Sequence, residues 1–115
     1  MKRGEIYWAD LAPRSGSEQK GHRPVVIVSH DGFNQAQGWR SIIVVPITTS
    51  GAQAKRGLTA VALPQGTGGL MQDSTALCHQ VTTLDRAKLS QHIGVLPANY
   101  LDEIAEGLKA ALDIA

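Results

Sequence analysis

The stretch from residue 15 to residue 29 constrains the fold most, because a polar loop broken by glycines runs directly into an apolar segment. The segment from Pro24 to Val28 is almost continuously apolar and β-branched, which predicts a strand at the centre of a sheet. Pro24 fixes its own φ and pushes Arg23 towards an extended backbone, so the loop enters the strand at a defined angle. Sites are commonly built where an adaptable loop meets such a rigid element.

Three chemically useful side chains stand together at this junction. Glu18 is a potential base, His22 a titratable imidazole and Arg23 a permanent cation. Arg23 has two interpretations of equal weight from spacing alone: a ligand for phosphate, or a surface arginine bridged to Glu18. Thr48 ends a second apolar run, where its hydroxyl would either donate to a phosphate oxygen or cap a turn. The sequence alone favours the cap for Thr48.

The remaining pattern predicts an α+β domain with a small barrel-like sheet and a C-terminal helix. Strands are expected at residues 4–11, 42–47, 58–63, 74–82 and 93–96, loops at 13–21 and 49–57, and a short helix at 31–38. Pro46 has no N–H to donate, which predicts an edge or a bend in its strand. From Pro97 onward, helical spacing relates Leu101, Ile104, Ala105, Leu108 and Leu112.

Composition places few further limits on the chain. Its 115 residues indicate one domain spanning residues 1–115. Cys78 is the only cysteine, which excludes an intrachain disulfide and favours a buried thiol in a reducing cytoplasm. Neither a signal peptide nor a membrane span is predicted. The first 57 residues carry eight Lys or Arg against four acids, and the remainder three against six, so one half could attract phosphate.

Other candidate motifs carry less weight. His30, His79 and His92 lack the spacing of metal ligands, so no metal or other cofactor is expected. The glycine-rich run at 66–69 lacks the lysine and following helix of a P-loop, which favours a flexible hairpin turn. Trp8 is interpreted as core, while Trp39 in a polar loop is the preferred candidate for stacking on a base.

Motifs along nearly the whole chain resemble the MazF/PemK family, the endoribonuclease toxins of bacterial toxin–antitoxin pairs. They are KRGEI at 2–6, SEQKGHRPVVIVS at 17–29, VPIT at 45–48, GGL at 68–70, DS at 73–74, LC at 77–78 and VTTLD at 81–85. Order and spacing also follow the family. The resemblance implies an SH3-like barrel of the MazF/CcdB plasmid-maintenance toxin type, with helices, that assembles as a homodimer.

The resemblance also implies roles for individual residues. The family assigns cleavage to the arginine of its HRP motif and the threonine of its PxT motif, which correspond here to Arg23 and Thr48. Glu18 matches the family's loop glutamate as a base or as a group orienting Arg23, and His22 is the alternative acid or base. Arg23 itself is expected to act electrostatically, because a guanidinium hardly ever loses its proton. The expected RNA-binding residues are Arg14, Ser17, Lys20, Trp39, Thr49, Ser50, Lys55 and Arg56.

The resulting hypothesis is a metal-independent, sequence-selective toxin that cuts single-stranded RNA (mRNA, tRNA or rRNA) through attack by the 2′-hydroxyl and so inhibits translation and growth. Its expected partners are RNA, a second copy and an antitoxin whose disordered acidic tail covers the loops at 15–23 and 49–57; no membrane is involved. The alternatives are a gyrase-poisoning toxin of the same fold that is not an enzyme, and an inactive barrel that binds nucleic acid or peptide. The pairing of Arg23 with Thr48 favours the nuclease.

Overall fold

A computed structural model describes residues 1–12, 16, 21–49 and 57–115. Within these residues the strands are β1 (Glu5–Asp10), β2 (His22–Ile27), β3 (Ser41–Thr48), β4 (Ala60–Leu63), β5 (Ser74–Leu77), β6 (Thr82–Asp85) and β7 (Leu89–Val95). The helices are α1 (Asp31–Asn34) and α2 (Ala98–Leu112). No helix in these ranges is long and apolar enough to cross a bilayer. The seven strands and the helix α2 confirm the predicted α+β class with a C-terminal helix.

The strands form one antiparallel sheet in the order β4-β5-β3-β2-β1-β7, and β6 pairs with β3 beside this path. The strand that begins at the HRP motif is central, as its apolar run predicts. The described strands do not close into a barrel, because β4 and β7 end the path without pairing with each other. The turn Thr67–Gly69 packs against β7 instead. In place of a closed barrel, the described strands form an open sheet, and the turn that follows β4 packs against β7.

Pro46 lies inside the sheet, which rules out an edge and leaves the bend as the remaining prediction. On one side β3 pairs with β2, where Val25 opposes Pro46. On the other side, residues 41–44 pair with β6, whereas residues 47–48 pair with β5. Pro46 falls where β3 has left β6 and has not yet joined β5. Pro46, which has no N–H to donate, is therefore accommodated by this interruption in strand pairing and not by an exposed edge.

Apolar side chains cover both faces of the central strands. Val26 packs in a cluster that includes Ile6, Ile47 and Ile104 of α2. Val25, its neighbour in sequence, packs in a second cluster on the opposite face. The predicted helix is confirmed as α2, in which Ile104 is buried, whereas Leu112, the last residue of α2, is 55% exposed.

Four short segments differ from the sequence-based prediction, beginning with the helix expected at 31–38, which ends at Asn34. The strand expected at 74–82 is two strands separated by a 3-10 turn, Cys78–Gln80, and the strand expected at 58–63 begins with another, Gly57–Thr59. The last strand starts at residue 89 instead of 93. In the first of these turns Cys78 is fully buried, and burial raises the pKa of its thiol to about 11. The prediction of a buried thiol is confirmed, although the thiol lies in a turn.

Candidate active site

A cavity of about 370 Å³ opens where the ends of β1, β2, β3 and β5 come together. Its lining residues are Trp8, His22, Arg23, Pro24, Ile47, Thr48, Thr49, Gln72 and Ser74. Arg23 and Thr48, chosen from two separate motifs, therefore border the same space. The fold also brings to this cavity residues from the connection between β4 and β5.

Antiparallel pairing explains why Arg23 and Thr48 meet. β2 is fixed against β1, where Ala9 opposes Arg23. On its other side Val25 opposes Pro46, and because the strands are antiparallel Arg23 and Thr48 each lie two residues beyond this pair, at the same end of the sheet. Thr48 in turn opposes Thr75 of β5. The register of the central strands thus brings Arg23 and Thr48 to one end of the sheet, although they are far apart in the sequence.

The two residues differ in exposure in a way that suits their chemistry. Thr48 is only 8% exposed, ends β3 and lines the cavity, so this residue is part of the cavity wall. Arg23 is exposed at the mouth, where a ligand from solvent can reach it. A guanidinium can fork two N–H donors onto phosphate oxygens, and a hydroxyl can add a third donor. The cavity can therefore bind an anion with tetrahedrally arranged oxygens.

Trp8 borders the cavity and is half-buried, so the interpretation of this residue as core was wrong. Its ring lies 4.9 Å from the ring of His22, centroid to centroid, with the two planes 34° apart. Trp8 lies two residues from the buried Ile6 and so on the same face of β1, but it is near the end of the strand, where the core gives way to the cavity. His22 is held at the mouth by this contact.

Trp39, the sequence's preferred stacking residue, lies outside the cavity. Its indole Nε1–H donates to the carbonyl of Ser41 at 2.7 Å, and its ring lies 5.0 Å from that of Phe33. Its RNA-binding role stays a prediction, without support from a shared cavity. Of the other predicted site residues, His22 and Thr49 join Arg23 and Thr48. Those outside the described residues are Arg14, Ser17, Glu18, Lys20, Ser50, Lys55 and Arg56, together with most of the loops at 15–23 and 49–57 that the antitoxin tail is expected to cover.

Sequence reasoning missed two residues of the cavity, Gln72 and Ser74. They follow β4 by about ten positions, and only the pairing of β5 with β3 brings them here. The Asp-Ser motif at 73–74 was the available signal. Its carboxylate accepts a hydrogen bond from the backbone N–H of Gln65 at 2.8 Å, and the Ser74 hydroxyl donates to the Gln72 carbonyl at 2.9 Å. This motif therefore shapes the connection that carries Gln72.

The remaining histidines make local contacts. His30 accepts the N–H of Gly32 through Nδ1 and so caps α1. His92 Nε2 lies 3.2 Å from a carboxylate oxygen of Glu5. His79 Nδ1 lies 3.5 Å from the hydroxyl of Thr59. None of these three lines the cavity around Arg23.

Comparison with known proteins places this fold and cavity in one class of protein. A family model described as "PemK-like, MazF-like toxin of type II toxin-antitoxin system" matches residues 2–112. The chain is 36% identical over 114 residues to Endoribonuclease MazF2 of Mycobacterium bovis, covering 99% of this chain and 98% of that protein. Fold, cavity and sequence together define a small toxin of a toxin–antitoxin pair. The chain belongs to the family of PemK-like and MazF-like toxins of type II toxin–antitoxin systems.

Solved structures agree with this assignment. The crystal structure of MazF from Deinococcus radiodurans superimposes with a TM-score of 0.81 at 26% identity, covering 99% of this chain and 97% of that one. A MazE–MazF crystal structure from the same organism gives a TM-score of 0.74 at 26% identity, covering 100% and 97%. The resemblance seen in the motifs therefore extends to the fold.

Proposed function

We propose that this toxin is an endoribonuclease that cuts single-stranded RNA. One observation carries the proposal: Arg23 and Thr48, on neighbouring strands, border one cavity with the imidazole of His22 at its mouth. Relatives such as Endoribonuclease MazF2 of M. bovis and Endoribonuclease EndoA of Bacillus subtilis, both 36% identical, support the same activity. Residues 1–115 act as one catalytic domain in this proposal.

The proposed reaction is attack by a 2′-hydroxyl on the adjacent phosphorus. The new bond joins O2′ to phosphorus, and the bond from phosphorus to O5′ breaks. The proton leaves the 2′-hydroxyl for a base, and a proton returns to the departing O5′. Arg23 and Thr48 donate hydrogen bonds to the phosphorane oxygens, where negative charge develops. His22 is one candidate proton carrier and Glu18 the other.

The products would be a 2′,3′-cyclic phosphate, or the 3′-phosphate from its hydrolysis, and a 5′-hydroxyl. No step of this scheme requires a metal ion. Purified protein should therefore cut single-stranded RNA in the presence of EDTA, with the end groups read by mass spectrometry and by 5′-labelling with and without phosphatase. Activity lost in EDTA and restored by magnesium would rule out the metal-independent scheme. Sequence selectivity would appear as one short motif recurring at the cut sites of a random RNA library.

The gyrase-poisoning alternative predicts a different result in a parallel assay. A gyrase poison would inhibit DNA supercoiling by purified gyrase and leave RNA intact, and an inactive binding protein would do neither. The Arg23–Thr48 pair supports the nuclease, because poisoning gyrase does not require two donors aimed at a phosphate. RNA cleavage without effect on supercoiling is the expected outcome.

We further propose a cytoplasmic homodimer that inhibits translation and growth until an antitoxin with a disordered tail covers the cavity. The MazE–MazF structure from D. radiodurans is a complex of two named components, which supports an antitoxin partner. An edge at Pro46 no longer supports dimerisation, whereas β4 pairs only with β5 among the described strands and so leaves one edge for a second copy. Light scattering at micromolar concentration should report a dimer.

Inhibition by the antitoxin should be competitive with RNA, because an acidic tail and the RNA backbone would occupy the same cationic surface. Titrating an uncleavable RNA into the toxin–antitoxin complex tests this. Undiminished RNA affinity with the antitoxin still bound would show that the two sites are separate.

A further inference from the structure

A second cavity, of about 240 Å³, adjoins the one that contains Arg23. The two share the lining residues Trp8, Pro24, Thr49, Gln72 and Ser74. Arg23, His22 and Thr48 border only the first, whereas Leu70, Met71 and Ile93 border only the second. The charged cavity therefore continues into an apolar one, which we call the side recess.

The outer wall of the side recess is held firmly against the sheet. A Cβ at Gly69 would lie 2.7 Å from the carbonyl oxygen of Ile93, and a Cβ at Gly94 would lie 2.2 Å from that of Gly68. Only glycines allow the two backbones to approach so closely. The predicted flexible turn is thus a packed segment, in which Gly66 N–H also donates to the Leu70 carbonyl at 2.7 Å. This packing fixes the positions at which Met71 and Gln72 follow.

The chemistry of the lining matches a flat ring with a polar edge. Trp8 and Ile93 supply apolar walls, and Met71, which is 86% exposed, stands at the rim. The Gln72 amide supplies one acceptor and two donor hydrogens at the border shared with the first cavity. The volume is below the roughly 300 Å³ at which clefts begin to hold drug-sized ligands, so it suits one ring system.

We propose that the side recess binds the nucleobase next to the scissile phosphate, with Trp8 stacking on the base and Gln72 hydrogen-bonding to its edge. The inference rests on the proposed RNA cleavage and extends it to specificity. Bases of single-stranded RNA can be splayed onto aromatic side chains and read along their edges. A glutamine amide pairs in bidentate fashion with adenine, so a purine of that pattern is the expected base.

Binding can be measured without cleavage. The chain has two tryptophans, so the Trp39→Phe variant leaves Trp8 as the sole indole reporter. The RNA probe is an oligonucleotide with the motif cut by the wild type and 2′-deoxyribose at the cleaved nucleotide. We expect it to quench Trp8 fluorescence. An otherwise identical probe with an abasic site beside the scissile phosphate should quench less and bind about tenfold more weakly. Equal binding and quenching by the two probes would overturn the proposal.

Cleavage of a random RNA library gives the second test, with Gln72→Ala and Met71→Ala compared against Leu58→Ala. Leu58 is a matched control, because it is an apolar residue 87% exposed that borders neither cavity. The first two variants should relax the motif at one position and lower kcat/KM on the preferred RNA roughly tenfold. The Leu58→Ala control should retain both the cleavage motif and the wild-type kcat/KM.

The proposed RNA cleavage and the proposed base binding in the side recess predict different failures in this experiment. A wild type that cuts no RNA removes the proposed function and the side recess with it. A wild type that cuts RNA, with Gln72→Ala and Met71→Ala retaining its motif, overturns the side recess alone.

Discussion

Two arginines, Arg23 and Arg86, illustrate how one residue type serves two purposes in this fold. The Arg86 guanidinium donates to three backbone carbonyls, those of Phe33, Asn34 and Trp39. It joins the turn after β6 to the end of α1 and to the loop that follows this helix. Arg23 stands at the end of a central strand and borders the cavity at an exposed position. Arg86 is thus committed to its own chain, whereas Arg23 faces the space that a ligand would fill.

The same division applies to the tryptophans near the two arginines. Trp39 accepts the Arg86 hydrogen bond through its carbonyl, and its ring lies beside that of Phe33. We call the contacts among Phe33, Trp39 and Arg86 the structural corner, and the partly exposed Trp39 ring belongs to it. Trp8 borders both cavities. Exposure alone therefore does not identify a binding residue. The contacts of each side chain distinguish a candidate binding residue from a residue that stabilises the fold.

The largest effect we expect is on cleavage by Arg23→Ala. Loss of a donor that stabilises transition-state charge costs on the order of 10²–10³ in rate. Arg23→Lys should also be impaired, because an ammonium cannot fork onto two oxygens. Single-turnover cleavage of a defined RNA measures both. Arg86→Ala is the matched control and should cut at a near-normal rate while it remains folded; equal loss of cleavage in the two alanine variants would contradict the distinction drawn here.

A second test contrasts Thr48 with Thr75, which oppose each other across β3 and β5. Only Thr48 borders the cavity. Thr48→Val keeps the shape and β-branching but removes the hydroxyl, so cleavage should fall on the order of 10². Thr75→Val should retain cleavage. If Thr75→Val loses as much activity as Thr48→Val, the hydroxyl acts through packing of the strands, and thermal melts of both variants would show a matching loss of stability.

The sequence predicted those features that depend on local pattern. Apolar β-branched runs identified β2 and β3, and the motif around Arg23 and Thr48 identified two residues that the fold brings to one cavity. The sequence could not predict the position of Pro46 in the sheet. The lack of an N–H shows that a backbone hydrogen bond is absent, but not whether the strand is at an edge or changes its partner. The structure supplies the reason, since β3 changes partner there.

The positions of Trp8 and Gln72 at the cavity could not be predicted from local sequence pattern, for a different reason. Alternation along β1 sets Trp8 on the face of the buried Ile6, and only its place near the strand end turns its ring towards the cavity. Gln72 reaches the same cavity through the pairing of β5 with β3. Contacts between distant segments decide both cases, and periodicity within one segment carries no information about them.

Arg86→Ala should instead reduce stability. The substitution removes donors to three carbonyls, and a hydrogen bond from a charged group contributes roughly 1.5–3 kcal/mol. Because part of this corner is exposed to water, we expect a net loss of about 2 kcal/mol in the free energy of unfolding. Urea unfolding measures it. Arg23→Ala serves as the control and should unfold near the wild-type midpoint; a larger loss in Arg23→Ala would reverse the roles assigned to the two residues.

The smallest effect concerns Asp85, at the same structural corner. Its carboxylate accepts a hydrogen bond from Arg40 at 2.8 Å and another from the backbone N–H of Ala87. The Arg40 hydrogen bond and then that of Ala87 hold the pKa of Asp85 below its ordinary value of 3.8. Because the folded-state pKa is depressed, the stabilisation is complete above pH 3.8 and is lost as the pH falls through the folded-state value.

Asp85→Asn should therefore unfold at slightly lower urea than the wild type near pH 7, and this difference should close as the pH falls below 3.8. The amide oxygen can still cap the turn at Ala87, so the effect isolates the charge. In an Arg40→Gln background the substitution should have less effect, since the partner is gone. Cleavage should be unchanged at neutral pH, because Asp85 borders neither cavity. A difference that persists undiminished at low pH would show that packing, and not the ionised carboxylate, stabilises this corner.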